Sequence, residues 1–442
     1  MGSACNPRCS LRFRRAVVTA LGILVAASEQ AQPSAQSSRP DRVVLYASVG
    51  PEVTQYDVDV QHAILIKRGS VILPASVQEA WAHASKQYLY VAWSNGGPSY
   101  AAPGSGAGSS GNQHGLSAFH IDRVSGALQP HGPSASLPSR PIHVTTDIPG
   151  AHVLVAYNNP SGVTVHRIRA DGTLGSQVES APTLDVGIYA HQVRVEPSNK
   201  SVILVTRGNG PAGGRPEDPG ALKVFSYKEG MLTNQASIAP GGGFGFQPRH
   251  LDFHPSGPWC FVTLERQNKL QVYKVIKQTL SPEPLFTKDT LAAPGNVRPW
   301  QGGVGTVHVH PSGRFVYVAN RASGTTDFEG QSVFAGGENT IAVYQINQVT
   351  GEPTLIQNID TRGMHPRTFA LDSGGRILVA ANQVSLSVRD GNRVSTVPAS
   401  LAVFRIRGDG KLEFVRKYDV EVETGRSLFW MGLIRLPGPP DQ

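Results

Sequence analysis

Three cysteines, four methionines and a charged fraction of only 16% are what this 442-residue chain has least of. Cys5 and Cys9 fall in an N-terminal segment and Cys260 stands alone in the apolar run WCFV, so neither a disulfide scaffold nor a CxxCH haem attachment is available. The charge is sparse and unclustered, with no run of five basic residues, which excludes the footprint of a nucleic-acid binder. His62, His114, His120 and His166 give no HxH or HxxxH spacing, and no metal or other cofactor is expected. Helical periodicity is missing between the strand-like runs, which excludes helix bundles and parallel α/β sheets.

What is abundant is punctuation: 48 glycines and 33 prolines among short alternating runs, the composition of many strands joined by turns. The first 27 residues read differently. Arg8, Arg12, Arg14 and Arg15 precede the twelve-residue apolar stretch Ala16–Ala27, too short for a bilayer but sized for a signal-peptide core, with Val25-Ala26-Ala27 as a cleavage region. Residues 1–27 are therefore expected to be a signal peptide of the general secretory or twin-arginine type, and 28–41 a flexible segment. The mature chain is expected in the periplasm or outside the cell, without stable membrane insertion. Removing the four arginines takes the formal charge from +8 to +4.

The most informative feature is self-similarity. PRHLDFHPSGPWCFVTLERQNKL at 248–270 matches GTVHVHPSGRFVYVANRA at 305–322: strand, His-Pro-Ser-Gly turn, second strand, loop, then a third alternating run. The unit recurs at 78–95, 141–158, 191–208 and 366–383, with second strands aligned on Val91, Val155, Val205, Val262, Val318 and Ala380. Residues 42–73 lack a leading strand, and SLFWMGLIRL at 427–436 is a strand with nothing after it. Joining them closes a ring that otherwise exposes sheet edges. The expected fold is all-β: one seven-bladed β-propeller over 42–436 with velcro closure between the N- and C-terminal strands, followed by a tail at 437–442. Gly96–His114 is expected to be a mobile loop, and the long connections Gly208–Gly220 and Ala322–Glu338 to lie at one end of the disc.

In such a ring the start of each blade's first strand and the end of its second are neighbours at one channel mouth. The aligned starts are Ile142, His191, Arg249, Gly305 and Arg367; the aligned ends are Ser94, Asn158, Gly208, Glu265, Arg321 and Gln383. One histidine, one glutamate and three arginines thus converge, and charges near low-dielectric walls are costly unless paired or used. His254 and His310, inside HPSG turns, read as structural; His308, within a channel-lining strand, joins the candidate site with Gln383.

PRHLDFHPSG at 248–257, VHVHPSGRFVYVANR at 307–321 and MHPRTFALDSGGRILVAANQ at 364–383 resemble the lactonase family of seven-bladed propellers, which includes propeller-type 6-phosphogluconolactonases and carboxy-muconate lactonizing enzymes. The resemblance spans about 42–436. It implies a catalytic group of His191, Arg249, Glu265 and Arg321, with Arg367 matching a further family arginine. Arg367 and, from the repeat register, His308 and Gln383 are expected to bind substrate. Here FVTLERQ stands where the family commonly has Val-Asn-Glu before this position. The implied activity is hydrolysis of a small lactone by a monomer without cofactor, and an exported enzyme points to a sugar or other lactone rather than the cytoplasmic 6-phosphogluconolactone. Two other readings remain: a non-catalytic propeller binding a carboxylated ligand or protein partner, and a muconate-type cycloisomerase.

Overall fold

A strand covered by neighbours on both faces must be apolar along its whole length, and the second strand of each repeat has that character. Phe315–Ala322 and Ile377–Val384 are buried at every residue. A computed structural model describes residues 42–97, 110–180, 183–296, 301–423 and 425–437. The expected signal peptide, the 28–41 segment, most of the tail and residues 98–109 of the Gly96–His114 loop lie outside the described residues.

The strands form seven antiparallel sheets around a central channel. From the axis outward, the first two strands are Ser76–Ala82 and Tyr88–Ser94 in blade 1, and Pro141–Thr146 and His152–Asn158 in blade 2. Blade 3 has Ala190–Val195 and Ser201–Thr206, and blade 4 has Pro248–Phe253 and Trp259–Leu264. Blade 5 has Gln301–Val309 and Phe315–Ala322, and blade 6 has Met364–Leu371 and Ile377–Val384. Blade 7 is the closure: Leu428–Leu436 is its innermost strand and pairs antiparallel with Arg42–Val49, Leu45 facing Leu433. The expected velcro arrangement is present. Seven buried apolar clusters, one between each neighbouring pair of blades, complete the circle.

Blades are also latched by polar contacts between turns. The His83, His254 and His310 rings pair with the carbonyl oxygens of Gly150, Gly313 and Gly375 in the following blade, at 2.9, 2.8 and 3.0 Å. The structural reading of His254 and His310 holds. Glycine is required at Gly313, where φ is +70° and a Cβ would meet the His254 ring at 2.5 Å.

One irregularity recurs around the ring. At the head of the innermost strand the ladder skips one residue: Gln78, Ile142, His191, Arg249, Arg367 and Phe429 each lie in a β-bulge opposite the second strand. Blade 5 has two such shifts, between 301 and 304 and between 304 and 307. A bulge re-aims side chains, so residues adjacent in sequence can both face the channel, at different depths. Two residues before the bulge the backbone turns left-handed in Tyr189, Gln247 and His365, at φ +58°, +42° and +56°, and in Gly303 at +79°. Side chains this bulky rarely hold that conformation unless the surroundings impose it.

Two connections rise beyond the blades. Ala322–Glu338 contains the hairpin Thr325–Phe328/Gln331–Phe334, and the sequence between 384 and 400, not singled out by its pattern, forms a second, Leu386–Asp390/Arg393–Val397. The Arg389 guanidinium lies 3.7 Å from the Phe328 ring centroid, joining the two hairpins above blades 5 and 6.

Closure makes the N-terminal strand part of the core. Leu45→Ala, at a fully buried site, is expected to cost about 2–5 kcal/mol in urea unfolding. Ile72→Ala, on the 68% exposed outer edge, should change stability by less than about 0.5 kcal/mol. Equal effects would contradict the closure.

Candidate active site

The bulges and the ends of the second strands meet in a cavity of about 200 Å³ lined by Arg140, Ile142, Asn158, Tyr189, His191, Arg249, Glu265, Arg321, His365, Arg367, Gln383 and Phe429. Of the residues selected by repeat register, Ile142, His191, Arg249, Arg367, Asn158, Glu265, Arg321 and Gln383 are brought together. Ser94, Gly208 and Gly305 do not line it.

Glu265 is its centre. Its carboxylate accepts from Arg207 Nη1 at 2.8 Å and from Arg321 Nη2, and lies 3.2 Å from Arg249 Nε. Burial alone would raise its pKa, but the guanidinium groups of Arg207, Arg321 and Arg249 hold it well below the usual carboxylate range. Glu265 is therefore a permanent anion. Gly303 allows the approach of the neighbouring blade: a Cβ there would fall 2.1 Å from the Glu265 carbonyl oxygen, which accepts from Val304 N at 3.0 Å.

Arg207 was not selected by sequence, and the reason is a slip of one residue. Blade 3 pairs Val193 with Leu204, not with Val205, so the position equivalent to Glu265 and Arg321 is Arg207 rather than Gly208. Its guanidinium also stacks 4.2 Å from the Tyr189 ring centroid. Arg140 was missed as well; its Nε donates to Gln78 Oε1 at 2.9 Å. Arg367 lies 3.7 Å over the Phe429 ring and donates from Nη1 to the Phe429 carbonyl at 2.9 Å.

Three arginines thus contact Glu265, while Arg140 and Arg367 line the same cavity and Arg367 also faces Glu79. Burial pushes Arg249 well below the usual guanidinium range, with Arg321 adding repulsion. Burial likewise pushes Arg140 and Arg367 down to about 10. Buried polar groups normally find partners, yet Arg140 Nη2, Arg249 Nη1 and His191 Nδ1 have none. Arg140 Nη2 and Arg249 Nη1 are donors that an anionic group could engage. Burial, reinforced by Arg249, pushes His191 well below the ordinary imidazole range, so it is neutral at pH 7.

His308 departs from expectation. It lies deeper in the channel, in a second cavity of about 340 Å³, with Nδ1 3.7 Å from Asp252 and its ring 5.0 Å from Phe369. Three residues separate it from Gly305, whereas the arginine cavity reaches only the bulge, so His308 is not part of the arginine site. His250 and His143 line this deeper cavity, and the His191 and His250 rings meet at 5.1 Å between the two.

A family model described as Lactonase, 7-bladed beta-propeller, matches residues 50–393. A 6-phosphogluconolactonase of Bacillus subtilis is 29% identical over 314 residues, covering 66% of this chain and 78% of the relative. One from Serratia proteamaculans is 23% identical, covering 83% and 90%. Among solved structures, a periplasmic gluconolactonase of Pseudomonas aeruginosa superposes with TM-score 0.65 at 19% identity, covering 90% of this chain and 99% of that one.

His143, His191 and His250 are all depressed, chiefly by burial. The unfolded chain therefore binds more protons, and stability must fall as pH drops through 6.5. Each contributes a loss of about 1.4 kcal/mol between pH 7.5 and 5.5. Glu79, raised to about 7 mainly by burial, acts in the opposite sense because its folded form takes up the proton first. Urea titrations should show a net loss, steeper in Glu79→Gln; a pH-independent stability would contradict these assignments.

Proposed function

The chain belongs to the lactonase family of seven-bladed β-propellers, and from that premise we propose that it hydrolyses a small lactone in the arginine-rich cavity. The observation carrying this reading is the juxtaposition of two buried atoms without partners and with complementary roles: Nδ1 of neutral His191 and Nη1 of Arg249. Relatives named 6-phosphogluconolactonase support the reaction class.

His191 takes a proton from water as the water oxygen attacks the lactone carbonyl carbon. Negative charge develops on the carbonyl oxygen, and Arg249 Nη1 is the donor left for it. The tetrahedral species collapses by breaking the bond between the acyl carbon and the ring oxygen, which leaves with the proton returned from His191. The product is a hydroxy acid whose carboxyl group ionises, releasing one proton per turnover. Glu265 is not the base, because its carboxylate is committed to three arginines whereas His191 Nδ1 is open. Glu265 holds Arg207, Arg249 and Arg321 against their mutual repulsion. Arg140 Nη2 is placed for a substrate oxygen or anionic substituent, and Arg367 and Gln383 line the same wall.

Export is part of the proposal, supported by the Arg8–Arg15 basic segment and the Ala16–Ala27 apolar stretch. An exported enzyme meets sugar or other small lactones rather than phosphorylated cytoplasmic ones. Fusing residues 1–41 to a reporter active only outside the cytoplasm should give activity; a silent fusion retained in the cytoplasm would remove this part.

A pH-stat assay over a lactone panel tests the chemistry. One proton per ring opened is expected, with kcat/KM lowered at least about 100-fold in His191→Ala. Because His191 is neutral well below pH 6.5, the wild-type rate should hold from pH 7.5 to 6. A loss smaller than tenfold, or no proton release from any lactone, would overturn the proposal. Muconate isomerisation without net hydrolysis would assign the site to a cycloisomerase instead.

A further inference from the structure

Each bulge sends one side chain toward the arginine cavity and the next one deeper. The seven residues that follow the bulge positions are Glu79, His143, Gln192, His250, Thr306, Thr368 and Trp430, one per blade, and all seven line the deeper cavity of about 340 Å³. Every one carries a hydrogen-bonding group. This ring differs in kind from the one above it: it contains no arginine or lysine, and its two imidazoles are held neutral by burial. Glu79, also shifted by burial, titrates near neutrality.

The capacity of the ring is only partly used. Gln192 Oε1 accepts from Leu251 N at 2.6 Å and Thr306 Oγ1 donates to the Arg367 carbonyl at 3.0 Å. His143, 3% exposed, has no partner at Nδ1. One layer further along the axis the charges cancel: Asp252 pairs with Arg194 at 2.9 Å and faces His308, while Arg194 lies over the Trp81 ring at 5.1 Å. Trp81, Phe369 and Trp430 supply aromatic wall.

A ring of hydrogen-bonding groups with a single carboxylate, Glu79, bordered by aromatic faces, recognises a molecule with many hydroxyl groups and no charge. The charged groups in the wall are already balanced, Arg194 by Asp252 at 2.9 Å and Asp372 by Arg376 at 3.1 Å, with Lys86 exposed at the rim. A charged ligand would have to break an ion pair to gain a counter-charge. The volume is at the lower end for small-molecule pockets. We propose that this ring is a second binding site, separate from the arginine cavity, that takes a neutral cyclic polyol of monosaccharide size.

Isothermal calorimetry on the full chain tests this without reference to turnover, so it can succeed or fail independently of the lactonase reading. myo-Inositol and glucose serve as neutral probes and glucose 6-phosphate as the charged control. Saturable binding of a neutral probe is expected, weakened at least tenfold by Thr368→Phe, which fills the cavity, and by Glu79→Ala, which only removes atoms. A circular dichroism melt confirms that each variant is folded. No saturable binding of either neutral probe at millimolar concentration would overturn the proposal. So would unchanged affinity in folded Glu79→Ala, or binding of the phosphate ester alone.

Discussion

The structure turns on a backbone defect repeated around a ring. In a regular ladder, side chains alternate between opposite faces, and neighbours in sequence cannot both face the axis. One extra residue at the head of each innermost strand breaks that rule. It lets Arg249 face one cavity while His250 faces the next, and it does the same for His191 with Gln192 and Arg367 with Thr368. The left-handed residues Tyr189, Gln247, Gly303 and His365 feed the chain into these bulges. The strain is tolerable because the second strands behind are buried along their length and latched to the next blade.

Given that scaffold, the chemistry follows from charge balance. Glu265, even with Glu79 behind Arg367, cannot neutralise five guanidinium groups. Glu265 spends its capacity on Arg207, Arg249 and Arg321, which leaves Arg249 Nη1 and Arg140 Nη2 as unmet donors. Burial, with Arg249 adding to it, keeps His191 neutral. In the proposed reaction the oxyanion donor and the base therefore share one environment, in which burial first and Arg249 second deny His191 its proton. The deeper cavity, one residue away, is faced by Glu79, His143 and His250 in place of guanidinium groups.

Much of this was legible in the sequence because repeats carry their own alignment. The blade count, the closure of 42–49 by 428–436, and the meeting of His191, Arg249, Glu265, Arg321, Arg367 and Gln383 all follow from register. The misses have physical causes. A strand's anchor read from apolar residues alone can slip by one where valine and leucine alternate, as at Leu204 and Val205, and that slip hid Arg207. Arg140, Tyr189 and His365 lie two residues before the bulge, a position the register comparison did not sample; the same offset in all three copies was the signal available. The bulge itself leaves no residue signature, so His308 could not be assigned to a depth. The 386–397 hairpin was invisible because its strands are short and half-polar.

The central claim is that the arginine cluster presents open donors for an anionic group next to a neutral histidine. A crystal structure of the full chain with a hydroxy-acid product such as gluconate tests it most directly. The account predicts the product carboxylate within hydrogen-bonding distance of Arg249 Nη1, with a product oxygen beside His191 Nδ1 and the Glu265 ion pairs unchanged. A carboxylate bound away from Arg249, or one that displaces Glu265 from its arginines, would contradict it.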